Sequence, residues 1–498
     1  MTLRSPRSEF VRKALLALAP AVLLLATASS ASAATKFDSI MQDDRLFANP
    51  ATQAESLDTA DGLGVDVIHT IVGWRGLAPK PDAKKKPRGF NAADPGDYDE
   101  DGWDRFDDLV RGAQTRGIDI LMSPAGPIPD WATRCRKPGK FNVCRPDPDE
   151  YQLFMTAVAK RYSGRYRDEN QGKGRLPKVA RMSIWNEPNL RSWIDPTKNA
   201  AAVYRELIYA GENGIRKGKY RGKLYIGETA PLNNSLKFWR ELFCIDTRGR
   251  TLTGKSATKV GCTGRRIKRF KAVGISHHPY TRGGTPPFKK APKSTDMTLY
   301  ETQSRLIKVL DQGAKVGAIK RNLPIYFTEF GVSTDPPDTK FGVSFNQQAE
   351  AINRAELIAY DQKRVFGFTQ FQLSDDTGTG QEEGSVATFQ TGLRTRTNEE
   401  KPSFGAYRTP LFVVKSGGGA RVWGGARPGA RKQVEIQTGS NGNFTTVKTA
   451  TVDRYGYIDE KIDASSGDVR LKWAGPGGDV FSRVAGVESS RTIKIPKR

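Results

Sequence analysis

Eight short apolar runs, rich in β-branched or aromatic residues, recur along the first four-fifths of this chain. In order they are DSIMQ (38–42), VDVIHTIVGW (65–74), IDILMSP (118–124), VARMSIW (179–185), KLYIGET (223–229), AVGISHH (272–278), LPIYFTE (323–329) and VFGFTQFQL (365–373). Their length and composition predict buried strands. Between them, apolar positions return with helical spacing over 103–116, 148–163, 200–217, 298–316 and 344–363. Strands alternating with helices in this number predict an α/β fold, a closed (β/α)8 barrel of the TIM type spanning about residues 36–410. That span is long for the fold, so loops must be expanded. The Lys/Pro-rich stretch 79–96 and the cysteine-bearing stretches 133–147 and 244–270 are the candidates.

Near residue 411 the pattern changes to short alternating runs broken by Gly, Asn and Ser. This predicts a small antiparallel β-sandwich over 411–498, an accessory domain. Its largest aromatics are Trp423, Tyr455, Tyr457 and Trp473. Packing against the barrel is favoured over a sugar-binding face, because no aligned exposed aromatic strip can be derived. At the other end, Arg4, Arg7, Arg12 and Lys13 precede an apolar run from Ala14 to Ala28 and a small-residue stretch with Ala31-Ser32-Ala33. That is the plan of a secretory signal peptide over 1–33, cleaved near Ala33, and it predicts an extracellular protein. No later segment is apolar enough to cross a bilayer.

Composition changes this picture little. The chain has 498 residues, is 37% hydrophobic and carries 79 Lys+Arg against 54 Asp+Glu, a net +25. Basic residues are spread along the whole chain without a nucleic-acid-binding motif, so nucleic acid is not expected as a partner. Contact with an anionic glycan or cell envelope through the basic surface stays open beside a generally basic exported surface. The even set Cys135, Cys144, Cys244 and Cys262 suggests disulfides in an exported chain, with the short spacings favouring Cys135–Cys144 and Cys244–Cys262. No cysteine–histidine cluster indicates a metal, and no nicotinamide or phosphate-binding motif appears, so no cofactor is expected.

The chemistry lies in two runs that each end on a glutamate. VARMSIWNEPN (179–189) delivers Glu187 after Asn186, and LPIYFTEFG (323–331) delivers Glu329. Both fall at the C-terminal ends of barrel strands, where barrels of this kind carry their sites. Two carboxylates facing one another across a cleft are what cleaving a glycosidic bond requires. One attacks the anomeric carbon while the other donates and later accepts a proton, so one must hold a proton while the other is ionised.

Here the sequence resembles the clan A retaining glycoside hydrolases, family 39 in particular, with some family 5 similarity. SIWNEPN with its tail NLRSW resembles the strand-4 signature, and YFTEFG the strand-7 signature. The resemblance covers most of 36–410. It implies that Glu187 is the general acid/base, Glu329 the nucleophile, and Asn186 a ligand of the substrate 2-hydroxyl. SHHPY resembles the strand-6 pattern, and implies His278 and Tyr280 as residues that position the nucleophile. Two departures stand out. Strand 2 offers His69 where the pattern usually has an Arg. Strand 8 reads FTQFQL, with the amides of Gln370 and Gln372 where an aromatic floor is common.

The three histidines are His69, His277 and His278, all near predicted strand ends. Since side chains alternate along a strand, His278 rather than His277 is expected to face the cleft. Trp74 and Trp131 lie just past strand ends and are expected to stack on sugar; Trp185 and Trp193 are further candidates, and Glu228 a possible substrate contact. The reading is therefore a secreted retaining glycosidase acting on a plant or microbial envelope glycan. The alternatives are a non-catalytic glycan-binding protein on the same scaffold, and a transglycosylase using the same carboxylates.

Overall fold

The computed structural model describes residues 36–137, 139–262, 267–281, 291, 293–376, 389–464 and 466–489. The expected leader, 1–33, lies outside the described residues. Eight parallel strands close into a barrel in chain order: β1 (Asp38–Gln42), β2 (Val67–Gly73), β3 (Asp119–Ala125), β4 (Arg181–Ile184), β5 (Lys223–Thr229), β6 (Gly274–His277), β7 (Ile325–Phe327) and β8 (Val365–Phe371). Strand β1 closes the ring on β8, from Asp38 opposite Gly367 to Gln42 opposite Phe371. Each predicted run overlaps one of these strands, and only β3 runs past its predicted end, by one residue.

Helices cover the barrel as Glu100–Thr115, Pro148–Arg161, Ala200–Lys217, Ile307–Lys315 and Phe345–Tyr360. Their starts follow local chemistry. The Asp147 carboxylate accepts from Asp149 N ahead of Pro148, and Ser344 and Gln347 form a reciprocal capping box. The spacing read across 298–316 covers three hydrogen-bonding patterns: a 3-10 turn at Leu299–Glu301, a π turn at Thr302–Leu306, then the α-helix. Apolar period alone does not separate these.

The barrel interior is layered. Ile40, Val67, Leu121, Tyr225 and Tyr326 form a separate apolar cluster on its floor, with the two tyrosine rings stacked 4.7 Å apart. The Arg181 guanidinium bonds Asp38 at 2.6 Å beside them. Two residues further along the strands the interior turns polar: His69 Nε2 meets Ser123 Oγ at 2.8 Å, and Ser183 Oγ meets Ser276 Oγ at 3.4 Å. One further step brings the side chains of the functional rim, since inward positions recur every second residue.

After the helix Pro402–Arg408 come β9 (Leu411–Ser416), β10 (Gly419–Gly425), β11 (Gln433–Ser440), β12 (Asn443–Thr451), β13 (Tyr457–Ile462), β14 (Asp468–Gly475), β15 (Gly478–Phe481) and β16 (Ala485–Gly486). They form two antiparallel sheets, β13-β10-β9 and β12-β11-β14-β15, with β16 on β14. Strands β9–β16 have their own core around Val422, Ile436 and Leu471. Trp423, Phe412 and Tyr457 instead join the core of the barrel. Trp423 stacks on Tyr457 at 5.6 Å, and Tyr457 meets Phe37 edge-on at 5.7 Å. The buried Arg427 guanidinium bonds Tyr407 O at 2.8 Å and also Glu356 and the Tyr457 hydroxyl. The sheets' large aromatics Trp423, Tyr457 and Trp473 are thus buried, as packing requires. Disulfides join Cys135 to Cys144 and Cys244 to Cys262. Among the described residues no helix is long and apolar enough to cross a membrane.

Candidate active site

Glu187, His278 and Glu329 converge at the C-terminal rim. One carboxylate oxygen from each glutamate and a ring nitrogen of His278 lie within 4.8 Å of one another. His278 Nδ1 is 3.2 Å from Glu187 Oε1 and 3.5 Å from Glu329 Oε2. Its Nε2 is 2.9 Å from Glu228 Oε2. The Tyr280 hydroxyl donates to Glu329 Oε2 at 3.3 Å. The ring of His278 is fully buried beneath the pair, while His277 bonds Thr229 and Met297 O elsewhere in the core.

A strained backbone aims these groups. Trp185 has φ 66° and Glu187 φ 34°, so the chain leaves β4 through left-handed conformations that cost about 1–3 kcal/mol each. Asn189 holds that turn in place: its amide donates to Ala230 O at 3.0 Å and Leu232 O at 3.1 Å, and its carbonyl accepts from Ala230 N. Glu187 N donates to Glu228 O at 2.9 Å. Strand β5 is itself irregular against β6 between Ile226 and Thr229. There Gly227 has φ 127° and Glu228 φ 44°, a bulge that re-aims the glutamate inward. A Cβ on Gly227 would sit 2.1 Å from Ser276 O. Gly227→Ala is expected to destabilise the fold by about 1–3 kcal/mol and to lower activity by displacing Glu228; chemical denaturation and a rate assay read the two effects.

The electrostatics follow from burial around one cation. Burial alone would lower His278, but Glu329, Glu187 and Glu228 outweigh it and raise its pKa well above the usual range. The ring is therefore an imidazolium. Burial alone would raise Glu228, but the hydrogen bond from His278 and the surrounding donors bring it down to about 2. Glu329 is raised to about 8, chiefly by burial, with the carboxylates of Glu187 and Glu228 adding to the shift against His278. Glu329 therefore gives up its proton less readily than a free glutamate does.

The cavity above these groups is about 410 Å3, within the usual range for small-molecule sites of about 300–1,000 Å3. Asn186, Glu187, Glu329 and Gln372 line it, together with Trp193 and Phe371. The end of strand β1 and the turn after it contribute Gln42, Asp43, Asp44 and Arg45, none of which the motifs indicated. The signal was available: QDDR directly follows an apolar strand at the end where barrels carry their chemistry.

Four expected contacts are corrected. Trp74 is fully buried, stacked on Phe154 at 5.2 Å and edge-on to Trp131 at 6.1 Å. The chain turns into a short helix, Trp74–Leu77, as soon as β2 ends, which tucks the ring under the outer helices. Trp131 packs beside it and against Phe90, 9% exposed. His69 points inward but one layer too deep, its nitrogens held by Ser123 Oγ and Thr328 O. Gln370 bonds the carbonyls of Phe371, Gln372 and Thr391. Its neighbour Phe371 faces the cavity with Phe389, so strand β8 keeps an aromatic wall rather than a floor of amides. Asp376 also lines the cavity, whereas Asp375 is buried on Lys401 at 2.7 Å.

The trio Glu187, His278 and Glu329 has the spacing of three metal ligands. A ligating imidazole must be neutral with a free lone pair. Here both ring nitrogens of His278 face carboxylates, Nδ1 that of Glu187 and Nε2 that of Glu228.

No family model matches the sequence, and no curated protein matches it. Among solved structures the chain is similar to a GH39 enzyme from Xanthomonas axonopodis pv. citri, with 14% identity over 86% of this chain and 91% of that one, TM-score 0.49. It is also similar to a monomeric beta-xylosidase from Caulobacter crescentus CB15, with 15% identity over 86% and 94% of the two chains, TM-score 0.48. A glucosidase from Croceicoccus marinus matches with 13% identity over 86% and 82%, TM-score 0.47.

Proposed function

We propose that this protein is a secreted retaining glycoside hydrolase acting on a glycan by double displacement. The observation that carries the reading is the approach of Glu187 and Glu329 at the open rim of the barrel, where one carboxylate oxygen of each lies within 4.8 Å of the other. Retaining enzymes hold the pair about 5–5.5 Å apart, whereas inverting ones leave about 6.5–9.5 Å for a water.

In the first step a Glu329 oxygen attacks the anomeric carbon as the bond to the leaving oxygen breaks, and Glu187 gives that oxygen a proton. In the second, Glu187 takes a proton from water, the hydroxide attacks the same carbon, and the ester bond to Glu329 breaks. Two inversions restore the starting configuration. Attack requires an ionised Glu329 and a proton on Glu187. The Tyr280 hydroxyl and the His278 imidazolium then stabilise the bared Glu329 carboxylate. Asn186, buried beside Glu187, serves as the substrate-hydroxyl ligand. A transglycosylase would follow the same first step and differ in the acceptor.

Turnover of a panel of activated aryl glycosides tests the activity. Wild type is expected to hydrolyse at least one, and Glu187→Gln and Glu329→Gln are each expected to lose that turnover. A folded wild-type protein that binds glycans and cleaves none would favour the binding-protein reading. The pH profile is a second check. Raising pH through about 8 removes the proton of Glu329, leaving none to donate, so the rate is expected to fall on that basic limb.

A further inference from the structure

The regular pairing of β4 with β5 ends at Ile184 opposite Ile226. Lys223 N donates to Ala180 O at the start of that ladder. Parallel rungs recur every second residue, so the rung due after the last pair is Gly227 N to Ile184 O. A side chain is inserted there instead. The Tyr204 hydroxyl, carried by the helix Ala200–Lys217, donates to Ile184 O at 2.9 Å and accepts from Gly227 N at 2.7 Å. A phenol does both at once, being donor and acceptor. The ring is fully buried, 5.9 Å from that of Phe238, and burial raises its pKa, so the hydroxyl keeps its proton.

Both strands leave regular geometry at this point. On β4 the left-handed residues Trp185 and Glu187 follow Ile184; on β5 the bulge residues are Gly227 and Glu228. Beyond the inserted hydroxyl the two chains meet again, where Glu187 N donates to Glu228 O at 2.9 Å. The hydroxyl thus sits at the root of the two segments that carry Glu187 and the inner counterion of His278. Without it, Ile184 O and Gly227 N are left either to bond one another or to stay buried and unpaired. The first continues the flat ladder past Ile184, and the second loosens both segments. Either displaces the carboxyl groups beyond.

Resting on the hydrolase reading above, we infer that Tyr204 is a positioning residue of the reaction, whose hydroxyl, wedged between β4 and β5, sets where Glu187 meets the leaving oxygen. It touches no substrate and acts through the backbone alone. Tyr220 supplies the matched control. Its buried hydroxyl donates to Val179 O at 2.9 Å, two residues before β4 begins and so at the opposite end of the same strand.

Tyr204→Phe and Tyr220→Phe each remove one buried hydroxyl bonded to this stretch of chain, and both are expected to lower the denaturation midpoint. Only Tyr204→Phe is expected to change the chemistry. Phenyl and dinitrophenyl glycosides of one sugar are compared in kcat/KM, which reads the first, acid-assisted step. Misplacing Glu187 is expected to cut the phenyl glycoside by about 10–100-fold and the dinitrophenyl glycoside by less than about threefold, since the latter leaves without a proton. Equal losses on the two substrates, or the same pattern in Tyr220→Phe, overturn the inference. Should Tyr204→Phe not fold, Tyr204→3-fluorotyrosine, whose oxygen is a weaker acceptor, is expected to lower the phenyl-to-dinitrophenyl ratio, and an unchanged ratio overturns it. If the wild-type protein cleaves no glycoside, the hydrolase reading fails. A crystal structure of Tyr204→Phe then reads the placement without turnover: the Glu187 or Glu228 carboxyl group is expected to move by more than about 0.5 Å, and both unmoved overturns the inference.

Discussion

Replacing Glu329 with glutamine is expected to give a folded protein with kcat lower by about 10^5-fold or more, the scale on which removing a covalent nucleophile acts. The amide is nearly isosteric with the carboxyl group and keeps an acceptor for the Tyr280 hydroxyl. The loss therefore reports chemistry rather than folding, and near-wild-type denaturation midpoints are the control. Glu187→Ala is expected to lose less, about 10^2–10^4-fold, and least with leaving groups that need no proton. Azide should restore its turnover by entering the space left by the carboxylate and capturing the sugar ester on Glu329. The raised pKa of Glu329 makes the assignment of roles worth a direct reading. A slow-deglycosylating fluorinated aryl glycoside should leave its sugar on the Glu329 peptide by mass spectrometry, and a label on Glu187 would exchange the two roles.

The second large effect is expected at Glu228, which touches no substrate in this account. It lies fully buried behind His278, with the Thr328 hydroxyl donating to its carboxylate and Ser123 Oγ 3.4 Å from it. Glu228→Ala removes the inner counterion of the imidazolium, and breaking a buried ion pair from one side costs about 3–5 kcal/mol. Denaturant unfolding reads that cost. The pKa direction fixes its pH dependence. Since the folded pKa of about 2 lies below that of a free glutamate, the stabilisation is present above the free value and is lost as pH falls toward 2. Glu228→Gln keeps volume and an acceptor and is expected to fold. It removes one of the carboxylates that raise Glu329, while Glu187 and Glu329 still hold His278 charged. The basic limb of the rate profile is thus expected to move below 8. An unchanged limb would make Glu228 a packing residue rather than a positioning one.

Much of this site was readable before the fold was known. Strand ends carry function in a barrel, so Glu187 and Glu329 could be placed on the rim from apolar runs that stop on an acid. Alternation sufficed to choose His278 over His277. What failed was depth. A residue inward on a strand occupies one of several layers, and period-two reasoning cannot say which; His69 sits one layer below Ile71, which lines the cavity. Position just past a strand end was equally ambiguous, because an immediate helical turn hides Trp74 and a 3-10 turn over Asp130–Ala132 carries the buried Trp131. Glu228 depends on a bulge that a GET tripeptide does not announce, although a glycine within a strand is a known mark of one. Gln42 at the end of β1, with Asp43 and Asp44 just past it, belongs to no motif, and the three emerge only when the closing β1–β8 pairing brings them to the cavity that Gln372 also lines.

The most direct test of the paired-glutamate mechanism is a proton NMR time course of aryl glycoside cleavage, begun before mutarotation sets in. The first sugar to appear should have the same anomeric configuration as the substrate. First appearance of the opposite anomer would require water between the two carboxyl groups and would contradict the roles assigned to Glu187 and Glu329.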